Sequence, residues 1–222
     1  MSAPAAVDPE LRVQLLATAL AMGAARLNTG TAGNASARIE GGMLITPSGL
    51  APEACAAHDM VTVHADGRAE GRLAPSSEWR LHADVYAQRP EAGAIVHAHA
   101  PFATALACQR LEIPPFHYMI ARFGGSTVRC AHYATFGTQA LSDEVAAALA
   151  GRSACLMANH GMLVFGRDLV NALALAIEFE TLCEQYWRTR QLGEPVLLSD
   201  AEMADVVERF RWYGRPSEGP RE

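Results

Sequence analysis

Residues 94–106 read AIVHAHAPFATAL. Two histidines, His97 and His99, stand one residue apart in an apolar run that ends at Pro101. The run predicts a buried β-strand, and the proline favours the start of a helix, where its missing N–H is not needed. Side chains alternate between the two faces of a strand, so both imidazoles are expected on one face, roughly 6.5–7 Å apart at the backbone. Such a pair either binds a metal ion or packs as two buried histidines that hydrogen-bond to backbone and carboxylate groups.

The composition indicates one globular domain, which we expect to span residues 1–222, because half of the residues are apolar. No apolar run approaches the roughly 20 residues of a membrane span. The beginning of the chain carries Asp8 and Glu10 where a signal peptide would be basic. The five cysteines form no CxxC pair, which favours reduced thiols and a cytoplasmic location. A net charge of −6 without a basic cluster argues against nucleic acid as a partner.

The chain contains no lysine, since all 18 basic residues are arginine. Catalysis through a lysine Schiff base is therefore excluded, as are a pyridoxal phosphate anchor and a P-loop lysine. Any reaction that leaves negative charge on a carbon next to a carbonyl must use another electron sink, and a metal ion is the alternative.

The pattern of turns and helices predicts a mixed sheet flanked by helices. Hairpin signals occur early, at Gly41-Gly42 and Asp66-Gly67, and strands alternate with helices later in the chain. A helix is predicted over 77–89 with Glu78 in its first turn. Another helix is predicted to begin at Ser142, a residue type that caps helix N-termini.

Further residues suit the chemistry of a metal and a phosphate. A third histidine, His160, stands in an exposed NHG turn, and Glu78 stands at a helix start. Three histidines and a displaceable fourth ligand are typical of catalytic zinc sites. Glycine loops, hydroxyl groups and helix N-termini bind phosphate without lysine. The candidate phosphate-binding residues are Gly33, Asn34, Ser48, Gly49, Ser76 and Ser77.

Each of these features also has a purely structural explanation. The NHG turn favours an unusual backbone conformation, and a glutamate at a helix N-terminus complements the helix dipole. Ser76 and Ser77 also fit as helix caps. Spacing alone does not prove that the parts meet in space.

Eight segments carry a resemblance to a known family: GTAGNAS (30–36), GMLITPSG (42–49), PSSEWR (75–80), IVHAHA (95–100), HYMIARFGG (117–125), ATFGT (134–138), NHG (159–161) and PVLLSDAE…RFRWYG (195–214). With them the chain resembles the class II aldolase and adducin-head family, and within it the bacterial L-fuculose-1-phosphate aldolases. The resemblance implies a single-domain, three-layer α/β/α fold with a central, largely antiparallel sheet. It also implies a homotetramer with active sites at subunit interfaces.

The resemblance further implies roles for individual residues. His97, His99, His160 and Glu78 would bind Zn²⁺, or another divalent ion such as Mn²⁺ or Co²⁺. Glu78 would become the catalytic base once substrate displaces it. The other implied residues are Tyr118, a proton donor to the neighbouring subunit's site, and Phe136 and Tyr213, which shape the aldehyde end. The six glycine, asparagine and serine residues would hold the substrate phosphate.

The implied reaction is reversible cleavage of a ketose 1-phosphate, such as L-fuculose 1-phosphate, into dihydroxyacetone phosphate and an aldehyde such as lactaldehyde. The sequence departs from the family pattern in two places. Residues Ala100-Pro101-Phe102 are less polar than the family pattern and are expected to give the pocket an apolar lining. Asn159 stands where the family has a second histidine. These departures leave open a 5-deoxyribulose- or methylthioribulose-1-phosphate aldolase of a salvage pathway. A pentulose-phosphate 4-epimerase, a dehydratase and a non-enzymatic, adducin-like assembly module are further alternatives.

Overall fold

The protein is built around one eight-stranded sheet with the strand order β4-β3-β2-β1-β5-β8-β7-β6. The structure, a computed structural model, describes residues 8–210. Its strands are β1 (Asn34–Ile39), β2 (Gly42–Ile45), β3 (Val61–His64), β4 (Ala69–Glu70), β5 (Ala94–Ala98), β6 (Cys130–Ala131), β7 (Ala154–Met157) and β8 (Gly161–Gly166). Its helices are α1 (Pro9–Ala24), α2 (Trp79–Gln88), α3 (Pro101–Cys108), α4 (Gln139–Ala148), α5 (Leu169–Leu192) and α6 (Asp200–Phe210). Within residues 8–210, no helix is both long enough and apolar enough to cross a bilayer.

The sheet is largely antiparallel, as predicted, because among the described strands only β6 and β7 pair in parallel. Strand β5 lies at its centre between β1 and β8, and in this register His97 stands opposite Asn34 on one side and Leu163 on the other. The predicted hairpins around Gly41-Gly42 and Asp66-Gly67 join β1 to β2 and β3 to β4. The register therefore brings the β1–β2 hairpin beside the strand that carries His97.

Helices cover both faces of the sheet, which confirms the three-layer α/β/α arrangement. One apolar cluster packs α1, α3 and α5 on one face, with Leu15 and Phe179 among its fully buried residues. A second cluster packs α2 and α4 on the other face, through Val85 and Val145. Ile95 of β5 belongs to this second cluster, and strand alternation places the His97 side chain on the same face. The imidazole therefore points toward the layer that contains α2.

Two predicted helix starts differ from the observed ones. Helix α4 begins after Thr138, whose extended backbone and Oγ1, which accepts a hydrogen bond from the Leu141 N–H at 3.3 Å, cap it. Ser142 is buried within that helix, so the prediction that it forms the cap is wrong. Glu78 occupies the cap position of α2 rather than its first turn, and its side chain makes no capping hydrogen bond. The Glu78 carboxylate is thus available for other partners.

Candidate metal centre and active site

The three histidines singled out from the sequence converge on one point. One ring nitrogen from each of His97, His99 and His160 lies within 4.8 Å of the other two. The ring centroids are 5.0, 4.8 and 4.9 Å apart, and the rings meet edge to face. Strand β5 carries His97, His99 follows one residue beyond its end, and His160 lies in the turn from β7 to β8. The pairing of β8 with β5 brings that turn against the end of β5.

The backbone of the NHG turn explains how the third histidine reaches the other two. Asn159 adopts φ +54°, a left-handed conformation that asparagine tolerates, so the unusual backbone lies at Asn159 and not at His160. A Cβ on Gly161 would lie 2.4 Å from the Ala98 carbonyl oxygen. Glycine at position 161 therefore permits the close approach of the two segments.

Neighbouring groups orient the His97 imidazole and anchor the backbone of His99. The His97 Nδ1 lies 2.9 Å from the Met162 carbonyl oxygen, which only accepts hydrogen bonds. Nδ1 must therefore carry a proton, and Nε2 is the nitrogen that would bind a metal ion once it is deprotonated. The backbone N–H of His99 donates to Asn28 Oδ1 at 3.1 Å, which ties that histidine to the glycine loop.

Glu78 completes the cluster with a carboxylate that faces the imidazole rings. Its Oε2 accepts a hydrogen bond from Asn34 Nδ2 at 2.9 Å and lies 3.1 Å from His97 Nε2. Its Oε1 lies 3.4 Å from His160 Nε2 but accepts no hydrogen bond from the described residues, although it is buried. A buried carboxylate oxygen without a donor, beside three converging imidazoles, fits a divalent cation as the missing partner.

Burial and charge shift the pKa values of the cluster in a consistent way. Burial tends to raise the pKa of Glu78, but its attraction to His97 and their hydrogen bond, with His160 and Asn34 assisting, hold it far below its ordinary value. Burial, then the charge of His97, lower the pKa of His160 to about 4, and the same two causes lower the pKa of His99. Burial also disfavours a charged His97, yet the attraction of Glu78 outweighs it and raises that pKa. The site thus supplies a carboxylate and two imidazoles that stay neutral, the forms that bind metal.

A cleft of about 370 Å³ opens in front of this cluster. Glu78, His99 and His160 reach it, whereas His97 is fully buried behind them. All six predicted phosphate-binding residues line the cleft: Gly33, Asn34, Ser48, Gly49, Ser76 and Ser77. The structure therefore brings candidate metal ligands and the predicted phosphate-binding residues into one cavity.

Backbone hydrogen bonds join the segment that contains Ser48 to the segment that contains Ser76, and both segments contribute predicted phosphate-binding residues. The Ser48 N–H donates to the Ala74 carbonyl at 3.0 Å, and the Ser76 N–H donates to the Thr46 carbonyl at 3.0 Å. Gly33 has φ +72°, and a Cβ on it would lie 2.3 Å from the side chain of Asn28. Only glycine fits this position of the loop.

The residues predicted for the aldehyde end are dispersed. Phe136 lines the cleft and is 63% exposed. Tyr118 begins a 3-10 turn, does not line the cleft of its own chain and stacks on Phe210 at 6.4 Å between centroids. Tyr213 lies outside the described residues. The expectation that Phe102 gives the pocket an apolar lining is wrong, because Phe102 packs against Trp187 at 5.6 Å instead.

Five residues that line the cleft were not predicted from the sequence, although Asn159 was considered: Thr31, Ala32, Pro47, Tyr133 and Ala134. Thr31 belongs to the GTAGN loop, and Tyr133 directly precedes the ATFGT segment. Proximity to motifs already singled out was therefore the available signal for these residues.

Comparisons with known proteins agree with this geometry. The model of the Class II Aldolase and Adducin N-terminal domain matches residues 13–187. A 5-methylthioribulose-1-phosphate/5-deoxyribulose-1-phosphate aldolase of Rhodospirillum rubrum is 51% identical over 194 residues, covering 87% of this chain and 88% of the relative. An L-fuculose phosphate aldolase of Escherichia coli K12 is 45% identical over 206 residues, covering 92% and 96%.

Solved structures give the same result. A structure of an L-fuculose 1-phosphate aldolase superposes with a TM-score of 0.89 at 38% identity, covering 92% of this chain and 98% of the other. The L-fuculose-1-phosphate aldolase of Thermus thermophilus superposes with a TM-score of 0.70 at 28% identity, covering 86% and 100%. The resemblance inferred from the motifs is confirmed: the chain belongs to the class II aldolase and adducin family, and it is a metal-dependent aldolase of that family.

Proposed function

We propose that the protein is a zinc-dependent lyase that reversibly cleaves a ketose 1-phosphate into dihydroxyacetone phosphate and an aldehyde. The observation that carries the proposal is the buried Glu78 Oε1, which has no hydrogen-bond donor among the described residues. The Glu78 carboxylate stands beside three converging imidazoles, at a cleft that the predicted phosphate-binding residues line. The chain has no lysine for an imine, so the negative charge released when the carbon–carbon bond breaks requires a metal ion.

His97, His99, His160 and Glu78 would hold the ion. Three nitrogen ligands with a displaceable fourth ligand suit Zn²⁺, with Mn²⁺ or Co²⁺ as substitutes. Bound there, the ion supplies Lewis-acid stabilisation of the enediolate, an effect of several kcal/mol. The proton on His97 Nδ1, fixed by the Met162 carbonyl, keeps Nε2 directed at the ion.

Glu78 would act as the base that moves a proton to or from the enediolate carbon. Its Oε2 is restrained by Asn34, while its buried Oε1 accepts no hydrogen bond from the described part of the chain, and the residue lines the cleft. Substrate that displaces the carboxylate from the ion would free Oε1 to take a proton at this position.

The phosphate would be held by neutral donors, which suits a chain without lysine. The cleft is lined by six residues that would offer backbone N–H groups, hydroxyls and an amide to the phosphate: Gly33, Asn34, Ser48, Gly49, Ser76 and Ser77. Binding energy gained at the phosphate, remote from the bond that breaks, would fix the reacting carbon beside Glu78.

The aldehyde end would be completed by a second subunit of a homotetramer. Tyr118 is 49% exposed and lies outside its own cleft, as expected for a side chain that donates a proton in a neighbouring active site. Phe136 at the cleft and Tyr213 near the end of the chain would complete this end of the pocket.

We propose that the part of the substrate that becomes the aldehyde ends in a methyl or methylthio group. The cleft lining also contains Tyr133, Ala134 and Phe136, which offer an apolar surface. This surface favours 5-deoxyribulose 1-phosphate and 5-methylthioribulose 1-phosphate, and L-fuculose 1-phosphate, whose aldehyde product also ends in a methyl group, is the second candidate.

The experiment is a panel of ketose 1-phosphates assayed for dihydroxyacetone phosphate release, before and after chelation and after zinc is restored. We expect metal-dependent release with the highest kcat/KM for substrates ending in a methyl or methylthio group. An isomeric pentulose phosphate as sole product would identify an epimerase. Unchanged turnover after complete removal of the ion would overturn the metal mechanism.

A further inference from the structure

A chain of hydrogen bonds runs from the core of the protein to the Glu78 carboxylate. The Tyr86 hydroxyl lies 2.8 Å from Ser36 Oγ, which lies 2.7 Å from His82 Nδ1. The His82 Nε2 lies 2.6 Å from Asn34 Oδ1, and Asn34 Nδ2 donates to Glu78 Oε2 at 2.9 Å. Every link joins side chains of α2 or its cap residue to side chains of β1.

The helix and strand periodicities explain why these side chains form one row. Positions 78, 82 and 86 are four residues apart and share one face of α2. Positions 34 and 36 are two residues apart and share one face of β1. The row is buried, because His82 and Ser36 are fully inaccessible and the side chains at its two ends are nearly so.

The chemistry of the end groups determines the direction of every bond. A carboxylate only accepts, so the Asn34 amide must donate to Glu78 through Nδ2 and face His82 with Oδ1. An amide oxygen also only accepts, so His82 Nε2 must carry the proton. A neutral His82 then has a bare Nδ1 that accepts from Ser36, and Ser36 Oγ accepts from Tyr86.

The environment keeps the ring in this neutral form. Burial, followed by the charge of His97, lowers the pKa of His82 to about 3, and the attraction of Glu78 offsets this only in part. Burial raises the pKa of the Tyr86 hydroxyl, so that this end of the row remains a donor.

We propose that His82 is a positioning residue that locks the Asn34 amide and so assigns different tasks to the two oxygens of Glu78. Oε2 is committed to Asn34, and Oε1 is left as the oxygen available to the ion and to the substrate proton. The proposal rests on the proposed function of Glu78 as base. If the Asn34 amide could rotate freely, one of its two orientations would place its oxygen against the carboxylate. The two oxygens would repel each other, and the carboxylate would turn and displace Oε1.

A matched pair of variants separates this role from a merely structural one. In His82→Gln the amide nitrogen reaches the position of Nε2 and keeps a donor for Asn34. In His82→Asn the shorter side chain reaches only the position of Nδ1 and keeps the contact to Ser36. Both substitutions are neutral and remove the ring, so they disturb the core in similar ways.

We expect His82→Asn to lower kcat by about 10- to 100-fold with bound zinc and KM near wild type, the range found when a supporting contact of a metal site is lost. His82→Gln should keep kcat within about fivefold of the wild-type value, because its side chain still donates a hydrogen bond to Asn34. Equal losses in the two variants at equal thermal stability, or no loss in His82→Asn, would overturn the proposal.

A second measurement on the unaltered, zinc-loaded protein does not depend on turnover. Nitrogen-15 NMR distinguishes a protonated from a bare ring nitrogen. We expect His82 with Nε2 protonated and Nδ1 bare, and a proton on Nδ1 would overturn the proposal. If no ketose 1-phosphate is cleaved, the proposed function fails, and the protonation of His82 still decides whether the row runs in the stated direction.

Discussion

The side chain of Asn28 accepts a hydrogen bond from the backbone N–H of His99 at 3.1 Å. The same side chain fills the space that a Cβ on Gly33 would occupy. One asparagine therefore joins the glycine loop proposed for phosphate to the segment that carries a proposed metal ligand. Displacement of either segment would be transmitted to the other.

The first prediction concerns this contact. Asn28→Ala should weaken zinc binding about 10-fold, because the segment of His99 loses a partner that orients it. Asn28→Asp keeps the acceptor and should keep the zinc, but its negative charge beside the loop should raise KM for the sugar phosphate. Chelator competition and steady-state kinetics measure the two effects. Equal zinc affinity in all three proteins would contradict this role of Asn28.

The second prediction tests the proposed base. Glu78→Gln should lower cleavage by at least about 100-fold, the usual contribution of a general base, while zinc stays bound through three histidines. Glu70→Gln is a control, because it removes one negative charge at a site exposed to solvent. Elemental analysis and the dihydroxyacetone phosphate assay provide the readouts. Near-normal turnover by Glu78→Gln would remove Glu78 from this role.

The third prediction tests the ligand set. His99→Ala should purify with little zinc and little activity, because two imidazoles and one carboxylate hold the ion less tightly. His132→Ala is the matched control, since the His132 side chain is 88% exposed and pairs only with a surface glutamate among the contacts described. Full zinc occupancy in His99→Ala would refute the assignment.

The fourth prediction concerns the glycine loop. Gly33→Ala and Gly30→Ala both place a side chain at positive φ, +72° and +65°, at a cost of about 1–2 kcal/mol each. Only Gly33→Ala also collides with Asn28, whereas Gly30 has open space around it. We expect kcat/KM to fall at least about 10-fold in Gly33→Ala alone, because the loop that orients the substrate shifts. Similar kcat/KM values in the two variants would show that backbone strain, and not the collision, controls the loop.

The sequence motifs singled out the three histidines that cluster in the structure, but local spacing does not explain why they meet. The alternation of strand faces predicts His97 and His99 as neighbours on one strand, yet β5 ends at Ala98 and His99 lies beyond it. His160 joins them only because β8 pairs with β5, a long-range contact that no local spacing encodes. Motif resemblance supplied that information, while periodicity supplied only the local elements.

The buried row shows what the sequence interpretation overlooked. His82 is not among the residues to which the sequence motifs give a role, although its four-residue spacing from Glu78 places the two on one face of a helix. The partner positions on β1 depend on how α2 crosses the sheet, and tertiary packing determines that crossing. The wrong cap at Ser142 has a local cause, because serine and threonine are both good caps and the backbone of Thr138 has the extended form required.

The close approach of Gly161 to the end of β5 has a consequence for the lifetime of the protein. His99 and His160 lie about sixty residues apart in the sequence, so an ion bound by both would link two distant segments of the chain. An ion that binds only the folded form at 100 times its dissociation constant adds about 2.7 kcal/mol of stability. Molecules made without the ion would lack this stabilisation, so a larger fraction would be unfolded and degraded. Zinc supply would then control the abundance of the enzyme as well as its rate.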